Sequence, residues 1–434
     1  MFFETIRSEG LAHQSYLVGA DGAAAVIDPR RDCGVYLQRA AVHEAAITRI
    51  FETHRNEDYL VGSPELARKT GATVHHGSRL DFAYGEPARD GDRFELGPLI
   101  IEAIETPGHT AESLSYVVYD QGEPYIVFTG DALFAGSVGR VDLMSDDRRS
   151  NAAALYDSLH GRLLSLPDGT IVRPAHGAGS VCGVGIRDLP HSTIGHERAT
   201  NPFLALDRDA FVESKANELT YRPPYFRQME ALNRAGPPDS PERWLLRPLG
   251  ASDLEGMQVV DVRSPTAFGA GHVPDSLSIW REGLTTFAGW LLDYDRPIAI
   301  VDDFDLDLDR VAADLVRIGY DNLAGYLGGG FVSWFRSGRP VGRFPVWTVR
   351  DLSEHLDEVT VLDVRDGNSR AEQGAIPGSI HIYIGELASR IDEVPTDRPI
   401  AAHCDVGYKG SMAASLLVAH GAKEVVNVLG GFTA

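Results

Sequence analysis

The chain has 434 residues, 62 acidic against 40 basic, for a formal net charge of −22. Hydrophobic residues make up 43% and charged residues 24%, a globular composition that excludes a largely disordered chain. So negative a chain disfavours nucleic acid and anionic membrane surfaces as partners, and no apolar run approaches the roughly 18 residues of a membrane span.

At about 150 residues per domain, the length suggests roughly three domains. The opening Met1-Phe2-Phe3-Glu4-Thr5 lacks the basic segment and apolar core of a signal peptide. The cysteines, Cys33, Cys182 and Cys404, are too few and odd in number for a disulfide framework, so a soluble cytoplasmic protein is expected.

Four times in the first half an apolar, strand-like run ends on a metal-capable side chain. Ile47 to Phe51 leads to Glu52-Thr53-His54, and Ile100, Ile101 and Ile104 precede Thr106-Pro107-Gly108-His109. Tyr125 to Phe128 runs into Thr129-Gly130-Asp131, and Ile171-Val172 into Arg173-Pro174-Ala175-His176. Loops beyond strand ends converge on one face of a layered α/β fold, where ligands gather. One histidine so placed is more often structural; four such residues in one domain reverse that expectation. The pair His75-His76 is read as surface, because adjacent side chains on a strand diverge. A helical, proline-punctuated stretch from Asp207 to Asn233 closes the domain.

These segments resemble the metallo-β-lactamase superfamily, whose signature is a His-x-His-x-Asp-His loop, then a separate His, a Gly-Asp and a last His. The loop here reads His54-Arg55-Asn56-Glu57-Asp58-Tyr59. Asn56 and Tyr59 replace two imidazoles, and both are weak zinc ligands, so a second metal site built on Asp58, Tyr59, Asp131 and His176 looks broken. His54, His109 and Asp131 survive as two histidines and one carboxylate, the usual set of mononuclear non-haem Fe(II) oxygenases. The persulfide dioxygenases are the branch that uses such iron, and this domain resembles them. Two stretches, Glu52 to Tyr59 and Gly177-Ala178-Gly179-Ser180-Val181-Cys182-Gly183, resemble more closely still the subgroup fused to rhodanese domains. The resemblance implies one Fe(II) per chain on His54, His109 and Asp131, with zinc as the alternative. Asp58 and His176 would stand behind the ligands, and Cys182, Asn56 and Tyr59 near the cleft. Cys33 shows no catalytic context.

Next comes Arg234-Ala235-Gly236-Pro237-Pro238-Asp239-Ser240-Pro241, a linker or its edge. Beyond it the chain repeats itself. Asp261-Val262-Arg263 recurs 102 residues later as Asp363-Val364-Arg365, Pro297-Ile298-Ala299 as Pro399-Ile400-Ala401, and Leu327-Gly328-Gly329-Gly330-Phe331 answers Leu429-Gly430-Gly431-Phe432. Gly271-His272-Val273-Pro274 corresponds to Gly374-Ala375-Ile376-Pro377. Short apolar strands alternate with helices in each copy, which implies two α/β domains with parallel sheets.

In the second copy, the strand from Pro399 to His403 ends at Cys404, and Asp405-Val406-Gly407-Tyr408-Lys409-Gly410-Ser411 leads into a helix. Backbone N–H groups in such a loop stabilise a thiolate or persulfide, and Lys409 adds positive charge. With Asp363-Val364-Arg365 and the terminal Gly-Gly-Phe, this resembles the rhodanese sulfurtransferases, in which the cysteine carries sulfur. Lys409 stands where the family has arginine, which loses a bidentate anion fork. The first copy has Asp302 in place of the cysteine, and the loop Asp302 to Asp309 holds five aspartates. It cannot carry sulfur and would repel anions, so this copy is expected to be inactive.

The expected architecture is α/β and multidomain. A metallo-β-lactamase-like αβ/βα sandwich spans residues 1–235 and a linker residues 236–246. An inactive rhodanese-like domain follows over 247–343, and one with Cys404 over 344–434. The resemblances imply oxidation of a thiol persulfide such as glutathione persulfide by O2, coupled to sulfur transfer between sulfite, thiosulfate and thiol through Cys404, in sulfide detoxification. A zinc thioester hydrolase resembling glyoxalase II and a non-catalytic sulfur-binding scaffold are the alternatives. The thiol carrier, the direction of sulfur transfer and homo-oligomerisation stay open at this stage.

Overall fold

The computed structural model describes every residue except Pro190, Glu242, Arg243, Leu245, Asp305 and Leu306. The chain divides into two compact units, one of Met1–Pro241 with Arg317–Gly319 and the other of Glu242–Val316 with Tyr320–Ala434. Among the described residues, no helix is long and apolar enough to cross a membrane.

In the first unit, period-two alternation builds a sandwich. Along the strands Leu114–Asp120 and Glu123–Gly130, Leu114, Tyr116, Val118, Ile126 and Phe128 turn one way. They meet Tyr16, Val18, Ile27 and Phe51 from the other sheet, while Val117 and Val127 turn outward to Leu155, Leu159 and Phe211 of the covering helices. Both sheets have six strands. The first runs Phe2–Ser8, His13–Ala20, Ala23–Ile27, Ala46–Phe51, Thr73–Gly77 and Glu86–Ala88 in spatial order. The second runs Ser192–Thr193, Ile171–Pro174, Glu123–Gly130, Leu114–Asp120, Leu99–Glu105 and Arg93–Leu96. Helices Gly34–Val42 and Ser63–Thr70 cover the first sheet and Arg148–Gly161 and Arg208–Ala216 the second, completing the αβ/βα order. The closing helical stretch resolves into Arg208–Ala216 and Phe226–Ala235.

One expectation fails here. His75 and His76 do point to opposite faces, but both faces are covered and both side chains are buried. His75 packs between Phe51 and Phe94; His76 stacks on Phe82, its Nε2 2.6 Å from the Tyr84 carbonyl.

The second unit contains two five-stranded parallel sheets with the same strand order. The first comprises Pro248–Leu249, Leu323–Leu327, Ile298–Val301, Gln258–Asp261 and Leu277–Ser278. The second comprises Val346–Trp347, Val425–Val428, Ile400–His403, Thr360–Asp363 and Ile380–His381. Asp261 pairs with Val301 in one copy and Asp363 with His403 in the other, so the sequence repeat is a repeat of register.

Candidate metal centre and sulfur-carrying loop

The four strand ends do converge. His54 follows the strand Ala46–Phe51, His109 follows Leu99–Glu105, Asp131 follows Glu123–Gly130 and His176 follows Ile171–Pro174, and all four are almost fully buried. Gly108 sets the approach of His109. Its φ is 140°, and a Cβ there would lie 2.4 Å from Cβ of Leu155, so only glycine lets that turn sit on the helix.

Each imidazole is anchored through Nδ1. Thr53 Oγ1 donates to Asp28 at 2.8 Å and stands 2.9 Å from Nδ1 of His54. Nδ1 of His109 lies 3.1 Å from the Arg140 carbonyl, and Nδ1 of His176 lies 2.8 Å from Oδ1 of Asp131. With Nδ1 of His54 and His109 donating, their Nε2 atoms are the ones left to carry a lone pair, the tautomer a metal requires. The Nε2 atoms of His54, His109 and His176 are buried without a hydrogen-bond partner, as are Oε2 of Glu57 and both carboxylate oxygens of Asp58. Nε2 of His54 and of His109 stand 3.8 and 3.5 Å from Oδ2 of Asp131. Buried polar atoms are normally paired, so this convergence of orphaned donors fits a cation.

The electrostatics agree. Burial resists charge on His109, but the Glu57 and Asp131 carboxylates outweigh it and raise its pKa. Burial lowers His54. Burial also resists charge on His176, yet Asp131 and Asp58 hold it well above the ordinary histidine value. Its Nε2 is 3.0 Å from Oδ2 of Asp58.

The other expected residues sort themselves. Asp58 and Cys182 join the cluster with His176, their ligand atoms all lying within 4.8 Å of one another. Burial, then Asp58 and Glu57, push the Cys182 thiol well above its ordinary pKa, so in the absence of a cation it is a neutral S–H that donates to Oε1 of Glu57 at 3.4 Å. Asn56 and Tyr59 stay out of the cluster. Asn56 turns back to donate to the His54 carbonyl at 3.0 Å, and the Tyr59 hydroxyl points to the Asp28 carbonyl at 3.5 Å with its ring against His13. Cys33 is buried in the outer helix layer, where burial pushes its thiol up to about 12.

Two residues escaped the sequence reading. Glu57 occupies an unspecified position of the signature, yet its Oε1 lies 3.3 Å from Nε2 of His109. Asn233, on the far helix Phe226–Ala235, donates to the carbonyls of Asn56 and Tyr59, both at 2.8 Å, and accepts the Val61 N–H at 3.0 Å. Glu57 was readable as a charge next to a lost histidine. Asn233 left no sequence signal.

In the second unit, Cys404 is buried at the end of the strand Ile400–His403, and the Gly407 N–H donates to its Sγ at 3.0 Å. Gly407, at φ 103°, opens the helix Tyr408–Ala419. Gly431, at φ 53°, closes the loop from the other side: a Cβ there would stand 2.1 Å from the Cys404 carbonyl oxygen. Lys409 sits one turn away but is paired with Asp405 at 2.9 Å. In the first copy Asp302 is bridged by Arg281 at 3.2 Å and Asp303 lies 3.4 Å from Arg263. Asp305, one of the five aspartates expected there, lies outside the described residues.

Comparison with known proteins places this geometry. The metallo-beta-lactamase superfamily description matches residues 9–176, and the rhodanese-like domain matches residues 242–337 and 348–434. A hydroxyacylglutathione hydrolase of Methylobacterium sp. (strain 4-46) is 32% identical over 223 residues, covering 45% of this chain and 83% of the relative. The mitochondrial persulfide dioxygenase ETHE1 of Bos taurus is 31% identical over 206 residues, covering 46% of this chain and 74% of its own. A solved metallo-beta-lactamase from Staphylococcus aureus subsp. aureus COL is 29% identical with a TM-score of 0.68, covering 75% of this chain and 98% of its own.

Proposed function

Because the chain belongs to the metallo-β-lactamase superfamily and carries two rhodanese-like domains, we propose that it is a persulfide dioxygenase with a sulfurtransferase arm. Its substrate is a low-molecular-weight thiol persulfide such as glutathione persulfide. The reaction is RSSH + O2 + H2O → RSH + SO3²⁻ + 2 H⁺. The carrying observation is the survival of two imidazole Nε2 atoms, each within 4 Å of one buried Asp131 carboxylate oxygen, where two other histidines of the signature are lost. A single ferrous ion held by His54, His109 and Asp131 would supply redox chemistry toward O2 and a seat for the terminal sulfur.

The chain's own residues do the rest. Thr53 and the Arg140 carbonyl fix the imidazole tautomers. His176, set between Asp131 and Asp58, orients the carboxylate ligand and balances its neighbour's charge. Burial of the cluster keeps bulk water from the oxidising sulfur.

At Cys404 the thiolate attacks the outer sulfur of thiosulfate. The new S–S bond leaves a Cys404 persulfide anion, the old S–S bond breaks and sulfite departs with its electron pair. The Gly407 N–H and the helix N-terminus behind it stabilise the anion. The first copy, with Asp302 at the equivalent position, takes no sulfur. Three unpaired thiols suit a reducing, cytoplasmic setting in sulfide detoxification.

A zinc thioester hydrolase is the competing reading, since a relative bears the hydroxyacylglutathione hydrolase name. Asn56 and Tyr59 count against it, because both turn away from the cluster. Two variants test the division of labour. His109→Ala abolishes O2 uptake while thiosulfate:cyanide sulfur transfer persists, and Cys404→Ser does the reverse. Loss of both activities in either variant sinks the two-site reading.

A further inference from the structure

Among the described residues, Glu57 is the one carboxylate of the cluster that neither the signature nor the two-histidine, one-carboxylate set accounts for. It is 1% exposed, and its carboxylate faces the metal-ligand atoms rather than solvent. Oε1 lies 3.3 Å from Nε2 of His109, and Oε2 lies 4.0 Å from Nε2 of His54. Neither approach is a hydrogen bond: both Nε2 atoms and Oε2 are without a hydrogen-bond partner. Atoms that crowd at such distances without sharing a proton have the relation of neighbouring ligands on one cation. Metal–ligand bonds of about 2.0–2.2 Å put adjacent ligand atoms roughly 3.0–3.6 Å apart. Oδ2 of Asp131 stands 3.5 and 3.8 Å from the same two nitrogens, so the Glu57 carboxylate, through its two oxygens, lies in the same range of distances.

Charge points the same way. An ionised carboxylate buried this deeply requires a compensating charge. His176 is already held between Asp131 and Asp58. A divalent ion on His54, His109 and Asp131 alone would carry one excess positive charge, with Glu57 beside it carrying one negative. Binding of Glu57 cancels both.

The local chain explains how a carboxylate gets there. Asn56 has a left-handed backbone, φ 51°, and its side chain is tied to the His54 carbonyl. The Cys182 thiol donates to Oε1 of Glu57 and fixes that carboxylate on the inner side of the loop.

We propose that Glu57 is a fourth protein ligand of the metal, filling the coordination role left open by Asn56. This rests on the metal-centre reading above and deepens it. An octahedral ion with four protein ligands keeps two free positions rather than about three. Such an ion would leave room for one sulfur and one O2.

The test uses the full-length chain loaded with ferrous iron under anaerobic conditions. In its crystal structure, located by iron anomalous scattering, a Glu57 oxygen lies within about 2.3 Å of the ion. Chelator competition on Glu57→Gln shows ferrous affinity lowered by about ten-fold or more. Iron bound by His54, His109 and Asp131 with Glu57 beyond about 3 Å overturns the proposal and leaves the dioxygenase reading standing. Iron bound elsewhere overturns both.

Discussion

The side-chain amide of Asn233 donates to the carbonyl oxygen of Asn56 at 2.8 Å, across 177 residues of chain. The same amide group also reaches the Tyr59 carbonyl, so one buried residue of a distant helix closes the loop that carries His54, Glu57 and Asp58. The loop has no regular secondary structure over His54–Asp58, and side-chain hydrogen bonds hold it where a ladder would otherwise do so.

Asn233→Ala therefore leaves two carbonyls and one N–H of that loop without their partner. Each unsatisfied buried group costs about 1–3 kcal/mol. The expected result is a lower thermal midpoint and weaker metal retention on dialysis, with sulfur transfer at Cys404 unchanged. Unaltered metal retention contradicts this role.

His176→Gln removes the imidazole that orients Asp131 and pairs with Asp58. Partners of metal ligands typically tune affinity by about 10–100-fold. Ferrous affinity falls by that order in a chelator competition, while His109→Ala leaves too little affinity to measure. Equal losses in the two variants would promote His176 to a ligand.

Gly431→Ala targets the other site. A Cβ at φ 53° would press on the Cys404 carbonyl oxygen. Sulfur transfer falls by about five-fold or more, since a strained left-handed residue costs on the order of 1–3 kcal/mol and each 1.4 kcal/mol is about ten-fold. O2 uptake with a persulfide substrate stays at the wild-type rate.

Glu52 supplies a pH dependence. Burial raises its carboxyl to about 8, although the Tyr84 hydroxyl donates to it at 2.8 Å. The folded state thus binds a proton more tightly than the unfolded state, whose carboxyl titrates near about 4.3. The stabilisation is fully present below that value and is lost as pH rises through about 8. Thermal midpoints measured with chelator present should fall from pH 5 to pH 8 in the wild type. The decline is smaller in Glu52→Gln, and parallel declines contradict the assignment.

Much of the architecture was legible because it rests on local periodicity. The alternation in strands such as Glu123–Gly130 and the recurrence of Asp261-Val262-Arg263 as Asp363-Val364-Arg365 are one-dimensional patterns with direct structural consequences. The convergence of His54, His109, Asp131 and His176 was legible because each sits just past an apolar run. What stayed hidden depended on contacts between distant segments. His75 and His76 became buried because Phe94 and Phe82 cover them, and no property of the strand Thr73–Gly77 itself announces those neighbours. Asn233 was hidden for the same reason, since its role arises from where a far helix places it, whereas Glu57 carried a local signal, a charge beside the lost histidine, that only the loop's irregular path gives a role.

The central claim is oxidation of a persulfide at one iron, and its most direct measurement combines metal content with O2 stoichiometry. Full-length protein purified anaerobically is assayed for iron and zinc, then given glutathione persulfide while O2 and sulfite are followed. The account predicts one iron per chain and one O2 consumed per sulfite formed. Zinc in place of iron, with no O2 uptake and cleavage of a glutathione thioester, would contradict it.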